Sequence, residues 1–367
     1  MEGTLAAFAG PGRPFELRHV EVPAPEPGAI VVRILQANIC GSDLHFWQGR
    51  IDLVALGRPM PVVLGHEAVG VVEALGDGVE TDANGAPLAP GDRVAWRYFQ
   101  PCGRCRSCTS GRTRACQQNH LFLSQGRSAD QPPFFVGPMA THHVIPPGQV
   151  VFRVPNGVPN AVAAAANCAV AQAIQTLDVA GLRMGESVVV QGAGGLGLFA
   201  CAVAKAAGAS PVVVLDALPE RLELAKAFGA DVTLDLTGLP DARSRVRAVR
   251  KETDGGADVV CEFVGRPDAV AEGIGMVRPG GRYLECGCVH AGASIPFDPS
   301  QVTLLSRTII GLICYEPWAL REALSFLDRT EGPWDRLTPT LYPLSDVDRA
   351  FADATAQRVP RATVVPE

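Results

Sequence analysis

Residues 187–209 read SVVVQGAGGLGLFACAVAKAAGA: a short β-branched run, a glycine-rich turn and an Ala-rich stretch of helical length. Gly192, Gly194 and Gly197 stand in G-x-G-x-x-G register. Alone the spacing is a weak signal, because glycine-rich turns are common, but here it follows a strand and opens a helix. Glycine at these places permits the turn, lets the backbone approach a pyrophosphate and lets helix and strand pack closely, while N–H groups at the helix start face the phosphates. Gly195 and Leu196 complete that turn. The next apolar run, PVVVLD at 211–216, ends on Asp216, which is placed to accept hydrogen bonds from the ribose hydroxyls of an adenosine and so favours NAD over NADP.

Working outward, the alternation continues from about residue 161 to 314: strand-like DVTLDL, ADVVCEFVG and GGRYLECG are separated by helical segments such as ERLELAKAFGA. Such alternation implies right-handed βαβ units and a doubly wound parallel sheet. Residues before about 160 have another texture, in which AIVVRILQA, VVLGHEAVGVVEAL and DRVAWRYF are short β-type runs broken by Pro and Gly turns. After RTIIGLICYE come a helix around ALREALSFLDR and a final extended piece, RATVVPE. The fold class expected is α/β: a β-rich catalytic domain of residues 1–160 and 315–367, and a Rossmann-type dinucleotide-binding domain of residues 161–314. A chain of 367 residues is in any case too long for one ordinary core.

The net charge is −6, spread along the chain, and no block of basic residues offers a phosphate-backbone footprint, so nucleic acid is not an expected partner. The first residues lack a basic start followed by an apolar run, and the Ala-rich stretch from Asn160 is too short to span a bilayer. A cytoplasmic protein without a membrane partner is therefore expected. In that compartment thiols stay reduced, and clustered cysteines among the eleven present point to metal in place of disulfides.

PCGRCRSCTSGRTRAC, residues 101–116, sets Cys102, Cys105, Cys108 and Cys116 at C-x2-C-x2-C-x7-C spacing. Zinc takes four tetrahedral thiolates readily, and a site closed by four protein ligands leaves no position for substrate, so this lobe (about 101–117) is structural. Arg104, Arg106, Arg112 and Arg114 keep it solvated. NICGSDLH (38–45) and VLGHEAVG (63–70) each end an apolar run, where loops held by a rigid scaffold display reactive groups. Cys40 and His66, with Cys168 in AAANCAVAQAI as third ligand, make a set that leaves zinc's fourth position open for water or substrate.

Through these four motifs, in order and over almost its whole length, the chain resembles the zinc-dependent alcohol dehydrogenases of the medium-chain dehydrogenase/reductase superfamily. The resemblance implies a GroES-like fold for the β-rich domain, catalytic zinc on Cys40, His66 and Cys168, and structural zinc on the four-cysteine lobe. Two zinc ions per chain and NAD are the expected cofactors. By the same resemblance, Glu67 is the acidic residue close behind the metal, Asp43 orients the histidine ligand, Arg221 flanks the adenosine ribose and Arg361 meets the pyrophosphate. The reaction implied is reversible oxidation of an alcohol to a carbonyl compound, with Ser42 taking the alcohol proton and His45 passing it to solvent.

Trp47, Trp96, Tyr98 and QPPFFVGPM (131–139) are expected to bring apolar surface to the substrate, favouring a secondary, fairly hydrophobic or cyclic alcohol. The general look of the chain is similar to hydroxycamphor dehydrogenases within the family. The alternatives are a polyol (sorbitol-type) dehydrogenase, or a non-catalytic dinucleotide sensor that uses the zinc lobe for partner contact. His120, His142 and His143 read as strand or loop positions. Cys201, Cys261, Cys286, Cys288 and Cys314 read as buried small residues. RTIIGLICY reads as an edge strand that invites pairing with another chain, and the resemblance implies that such edges join into a homodimer or homotetramer.

Overall fold

The βαβ alternation closes into a six-stranded parallel sheet in the order Val232–Asp235, Val212–Asp216, Val188–Gln191, Ala257–Glu262, Val277–Glu285, Thr308–Gly311. This is a computed structural model, and it describes residues 1–118, 126–289, 292, 294–337 and 339–367. The strand Val188–Gln191 is buried throughout, as expected where helices cover both faces of a parallel sheet. The strand order reverses between Val188–Gln191 and Ala257–Glu262, and in such sheets ligands bind beyond the carboxyl ends of the strands at that point. The glycine turn lies there. Gly192 leaves the strand with φ +93°, and a Cβ on Gly197 would stand 1.8 Å from the Gly192 carbonyl oxygen, so only glycine lets the helix Gly195–Ala206 start this close to the strand.

These elements belong to the unit Ala169–Cys314; the other unit joins Met1–Cys168 to Tyr315–Glu367. The break falls at Cys168/Ala169, later than the expected 160/161, because the helix Asn160–Ala165 packs on the strands Ile30–Asn38 and Glu67–Leu75 of the first unit. The main sheet of that unit runs Thr340–Pro343, Ala362–Val365, Ile30–Asn38, Glu67–Leu75, Arg93–Trp96, Val151–Arg153, with His142–Ile145 paired to Ile30–Asn38. A smaller sheet joins Glu16–Glu21, Glu2–Phe8 and Val62–Val63. Phe8, Leu64, Phe135, Met139 and Phe351 lie in one core with Trp96; Val189, Val260 and Tyr283 lie in the core of the parallel sheet. RATVVPE forms the strand Ala362–Val365, and Thr308–Gly311 stands at the edge of the parallel sheet.

Candidate active site and metal centres

Antiparallel register builds the open site. Asn38 lies opposite Glu67, so the residues just beyond, Cys40 and His66, leave neighbouring strand ends side by side. Cys40 then caps the helix Gly41–Trp47, whose Asp43 accepts the Cys40 backbone N–H at 2.9 Å. The other Asp43 oxygen faces His66 Nδ1 at 3.3 Å, which turns Nε2 toward Cys168 Sγ at 3.5 Å. Cys168 arrives on the π-helical turn Ala166–Val170. One ligand atom from each of Cys40, His66, Glu67 and Cys168 falls within 4.8 Å of the others.

The electrostatics of this cluster call for a cation. Cys40 is held well below the ordinary thiol range by a hydrogen bond from Cys168, and Cys168 is pushed well above it by Cys40, so the two thiols do not ionise together. Burial disfavours charge on His66, but Asp43 and Cys40 outweigh it and raise its pKa well above the usual value. Burial and the Cys40 charge push Glu67 up to about 7. A tetrahedral zinc with Zn–S about 2.3 Å and Zn–N about 2.0 Å requires sulfur and nitrogen roughly 3.5 Å apart; Cys168 and His66 are at that separation.

The lobe passes the same test. Its sulfurs stand 3.5 Å (Cys105 to Cys108), 3.9 Å (Cys105 to Cys116) and 4.0 Å (Cys102 to Cys108) apart. Those values match the ~3.8 Å edge of a tetrahedron of thiolates and exceed any disulfide bond. Backbone N–H groups of Cys102, Cys105 and Gln118 point at the sulfurs. The Cys108 backbone N–H helps draw the Cys105 thiol down to about 6, whereas burial and Cys105 push Cys108 up to about 12, again a set that needs a cation to ionise as a whole.

At the glycine turn, Gly194 precedes the helix without a side-chain cap, and a Cβ there would meet nothing within 4 Å; the first N–H groups of such a helix have no partner within the helix itself. Asp216 is buried at the end of its strand. Its Oδ2 accepts from Ala193 N–H at 2.8 Å, and its Oδ1 accepts from Ala217 and Leu218 N–H at 2.8 and 3.0 Å. Arg221 stands 3.8 Å from the same carboxylate.

Ser42 and His45, three residues apart on the short helix, share a face, both half-buried. Arg361 pairs with Glu67, an arrangement the sequence did not suggest. Tyr98 lies against the His66 ring, centroids 4.9 Å apart. Trp96 instead is core, stacked on His143 at 5.0 Å, and Trp47 packs on Phe351. His142 and His143 are strand residues, and His120 lies outside the described residues. Cys201, Cys261 and Cys314 are buried as expected, but Cys286 and Cys288 are only half-buried.

The residues 26–156 match the family model described as alcohol dehydrogenase GroES-like domain, and residues 195–329 match the one described as zinc-binding dehydrogenase. The chain is 34% identical to a 5-exo-hydroxycamphor dehydrogenase of Pseudomonas putida, over 89% of this chain and 86% of that protein. It is 34% identical to an L-threonine 3-dehydrogenase of Pyrococcus horikoshii over 84% and 82% of the two chains. Among solved structures, an alcohol dehydrogenase from Thermotoga maritima superposes with a TM-score of 0.92 at 29% identity, covering all of both chains. The chain belongs to the zinc-dependent alcohol dehydrogenases of the medium-chain superfamily. It is an oxidoreductase that works with zinc and a nicotinamide cofactor.

Three features of this dehydrogenase had no signal in its motifs. Glu316 grips the four-cysteine lobe from the far end of the sequence. Asn167 ties the Cys168 turn to two strand ends. Glu262, Glu285 and Cys288 bring ligand-type atoms within 4.8 Å of one another, and burial with the Glu285 charge pushes Glu262 up to about 8. The pair of carboxyls, Glu262 buried and Glu285 half-buried at adjacent strand ends, leaves only the Glu in each of the runs VVCEFVG and RYLECG as a trace in the sequence; the other two depend on tertiary packing alone.

Proposed function

We propose that this dehydrogenase oxidises a secondary, fairly hydrophobic or cyclic alcohol to the ketone with NAD, reversibly. The observation that carries the reading is the convergence of Cys40, His66 and Cys168 on one point with Asp43 behind the imidazole. These three residues would hold the catalytic zinc, and the four lobe cysteines a second, structural one. The zinc would supply Lewis acidity that eases loss of the hydroxyl proton, and the nicotinamide would accept hydride. Asp43 fixes the His66 tautomer so that Nε2 is left to face the site. Ser42 and His45, on one face of their helix, form the path by which the alcohol proton leaves. Glu67 keeps a partly neutral carboxyl beside the ligand set, with Arg361 and Asn38 (3.3 Å) both donating to its Oε2.

Support for an apolar substrate comes from Tyr98, whose ring flanks His66, and from the relative that acts on hydroxycamphor, a cyclic alcohol. Support for NAD comes from Asp216, whose fixed carboxylate would repel a 2′-phosphate. The test is a panel of cyclic secondary alcohols, linear alcohols, polyols and threonine with each dinucleotide, following the absorbance of the reduced cofactor. Best turnover on threonine or a polyol would overturn the substrate class, and no alcohol-dependent reduction by the metal-loaded protein would favour a sensor.

We further propose a homodimer or homotetramer joined through Thr308–Gly311, an edge strand on which Ile309 is exposed. Light scattering at micromolar protein checks this; a stable monomer would count against it. No helix among the described residues is long and apolar enough to cross a membrane. We place the protein in the cytoplasm, where its eleven cysteines would stay reduced; fractionation tests this.

A further inference from the structure

The lobe and the open site lie in one unit, and buried or part-buried polar contacts, linked through the consecutive residues Tyr315 and Glu316, run from one to the other. Between Cys108 and Cys116 the lobe presents the backbone N–H groups of Thr113 and Arg114. Both donate to the Glu316 carboxylate, at 3.0 and 3.1 Å, and the Thr113 hydroxyl and the Arg114 guanidinium add two further bonds to it. Glu316 is buried, so a carboxylate takes up four donors from the segment that carries the last lobe ligand.

The preceding residue, Tyr315, is wholly buried, and its hydroxyl donates to the Asn167 carbonyl oxygen. Asn167, also fully buried, donates from its side-chain amide to the carbonyl oxygens of His66 and Trp96, both at 3.0 Å. It thus fixes the backbone of one metal ligand while sitting next to another, Cys168. The two ligands come from segments 102 residues apart, and the Asn167 side chain ties the backbone of one to the turn of the other. The turn in question is π-helical, a local geometry that departs from the regular helix on either side and is held where it is useful. The Tyr315 ring is edge-on to Tyr98 and Phe99, at 5.9 and 5.4 Å, and Tyr98 in turn flanks His66.

We propose that Asn167 and Tyr315 are positioning residues for the Cys40–His66–Cys168 site, and that Glu316 makes their placement depend on the ordered, metal-filled four-cysteine lobe. The proposal rests on the reading of both cysteine clusters as zinc sites. The lobe is then more than a remote staple. An emptied lobe frees Thr113 and Arg114, Glu316 loses these four donors, and the Tyr315 hydroxyl no longer pins the turn that carries Cys168.

The test uses full-length protein loaded with cobalt(II), whose d–d bands report ligand geometry. The Cys40→Ser protein keeps the lobe's four thiolates and supplies the lobe spectrum for subtraction. If subtraction leaves no second band in the parent, the site reading itself fails, and that outcome is distinct from the next. With the band in hand, Tyr315→Phe keeps the ring but loses the hydroxyl, and Glu316→Gln keeps the shape but loses charge. Each is expected to shift the second band and to weaken cobalt binding there by roughly 10–100-fold, the usual cost of losing support behind metal ligands. The lobe band should stay unchanged in Tyr315→Phe. The double variant should be no worse than the weaker-binding single variant, because both act along one line. Parent-like band and affinity in the singles, or independent additive losses in the double, would overturn the coupling. Should Tyr315→Phe not fold, Glu316→Gln against the parent still decides it: an unaltered second band refutes the proposal.

Discussion

The guanidinium of Arg361 lies on the carboxylate of Glu67, 294 residues away in the chain. The strand Ala362–Val365 pairs with Ile30–Asn38, Thr363 opposite Asn38, and Asn38 lies opposite Glu67, so two registers in one sheet bring the pair together. Thr363, Asn38 and Glu67 are further linked by side-chain hydrogen bonds of 2.7 and 3.3 Å. A charge placed this way offsets part of the upward push on the Glu67 carboxyl, which lies against Cys40, His66 and Cys168.

Removing Arg361 leaves a buried carboxyl whose pKa already stands at about 7. Arg361→Leu should therefore destabilise the protein by about 3 kcal/mol, the range for breaking one side of a buried pair. Adding Glu67→Gln should recover part of that loss, since the uncompensated charge is gone. Urea midpoints of the three proteins check this; a double variant less stable than Arg361→Leu alone would show that the pair is not the source.

His143 gives a pH dependence with a definite sign. Burial lowers its pKa from 6.5 to about 3, and its ring stacks on Trp96 inside the core. Below pH 6.5 the unfolded chain takes up a proton that the folded protein refuses, so stability is untouched above that pH and falls from 6.5 toward 3. At pH 5 the cost is about 2 kcal/mol. His143→Phe keeps an aromatic ring on Trp96 and should flatten the stability profile by about that amount at pH 5 relative to pH 7. Parallel profiles for variant and parent would place the titration elsewhere.

What was legible in the sequence was local. The four lobe cysteines lie within fifteen residues, the glycine register within six, and the βαβ texture repeats along the chain. Each signal is carried by spacing over a turn or two of backbone. The pairing of Arg361 with Glu67, the grip of Glu316 on Thr113, and the π-helical turn that presents Cys168 depend on strands and loops far apart in the chain, and no period in the sequence encodes them. Trp96 shows the limit from the other side. Next to the lobe in sequence it reads as pocket surface, but its strand turns it into the core.

Metal content separates the two cysteine sets. The parent should carry about two zinc ions per chain. Cys40→Ser should retain about one, keep its fold and lose turnover, whereas Cys105→Ser should mainly lose stability, because a closed thiolate site contributes folding free energy. Elemental analysis with thermal melts distinguishes them; full turnover by Cys40→Ser would remove that residue from the site.

The proton path has a kinetic signature. His45→Gln should slow turnover roughly tenfold or more near neutral pH and less at high pH, where hydroxide or buffer takes the proton directly. A profile parallel to the parent's would exclude His45 as the exit.

The proposed preference for NAD rests on Asp216, whose carboxylate makes two sets of contacts. One oxygen holds the Ala193 N–H of the glycine turn at 2.8 Å, and the other holds the two N–H groups that follow the strand. So anchored, it would not swing away from a 2′-phosphate, and like-charge juxtaposition of this kind costs several kcal/mol, so a preference for NAD of about a hundredfold or more is expected. Asp216→Ser removes the repulsion and also loosens the turn that faces the pyrophosphate. Its kcat/KM should therefore fall with NAD, fall less or rise with NADP, and the ratio should shift toward NADP by at least about tenfold as Arg221, now 3.8 Å from the carboxylate, is released to meet the phosphate. An Asp216→Ser, Arg221→Ala protein should keep the loss with NAD and lose the gain with NADP. Measured on one alcohol with both dinucleotides, equal efficiencies in the parent, or an unchanged ratio in Asp216→Ser, would show that the ribose does not lie against this strand end.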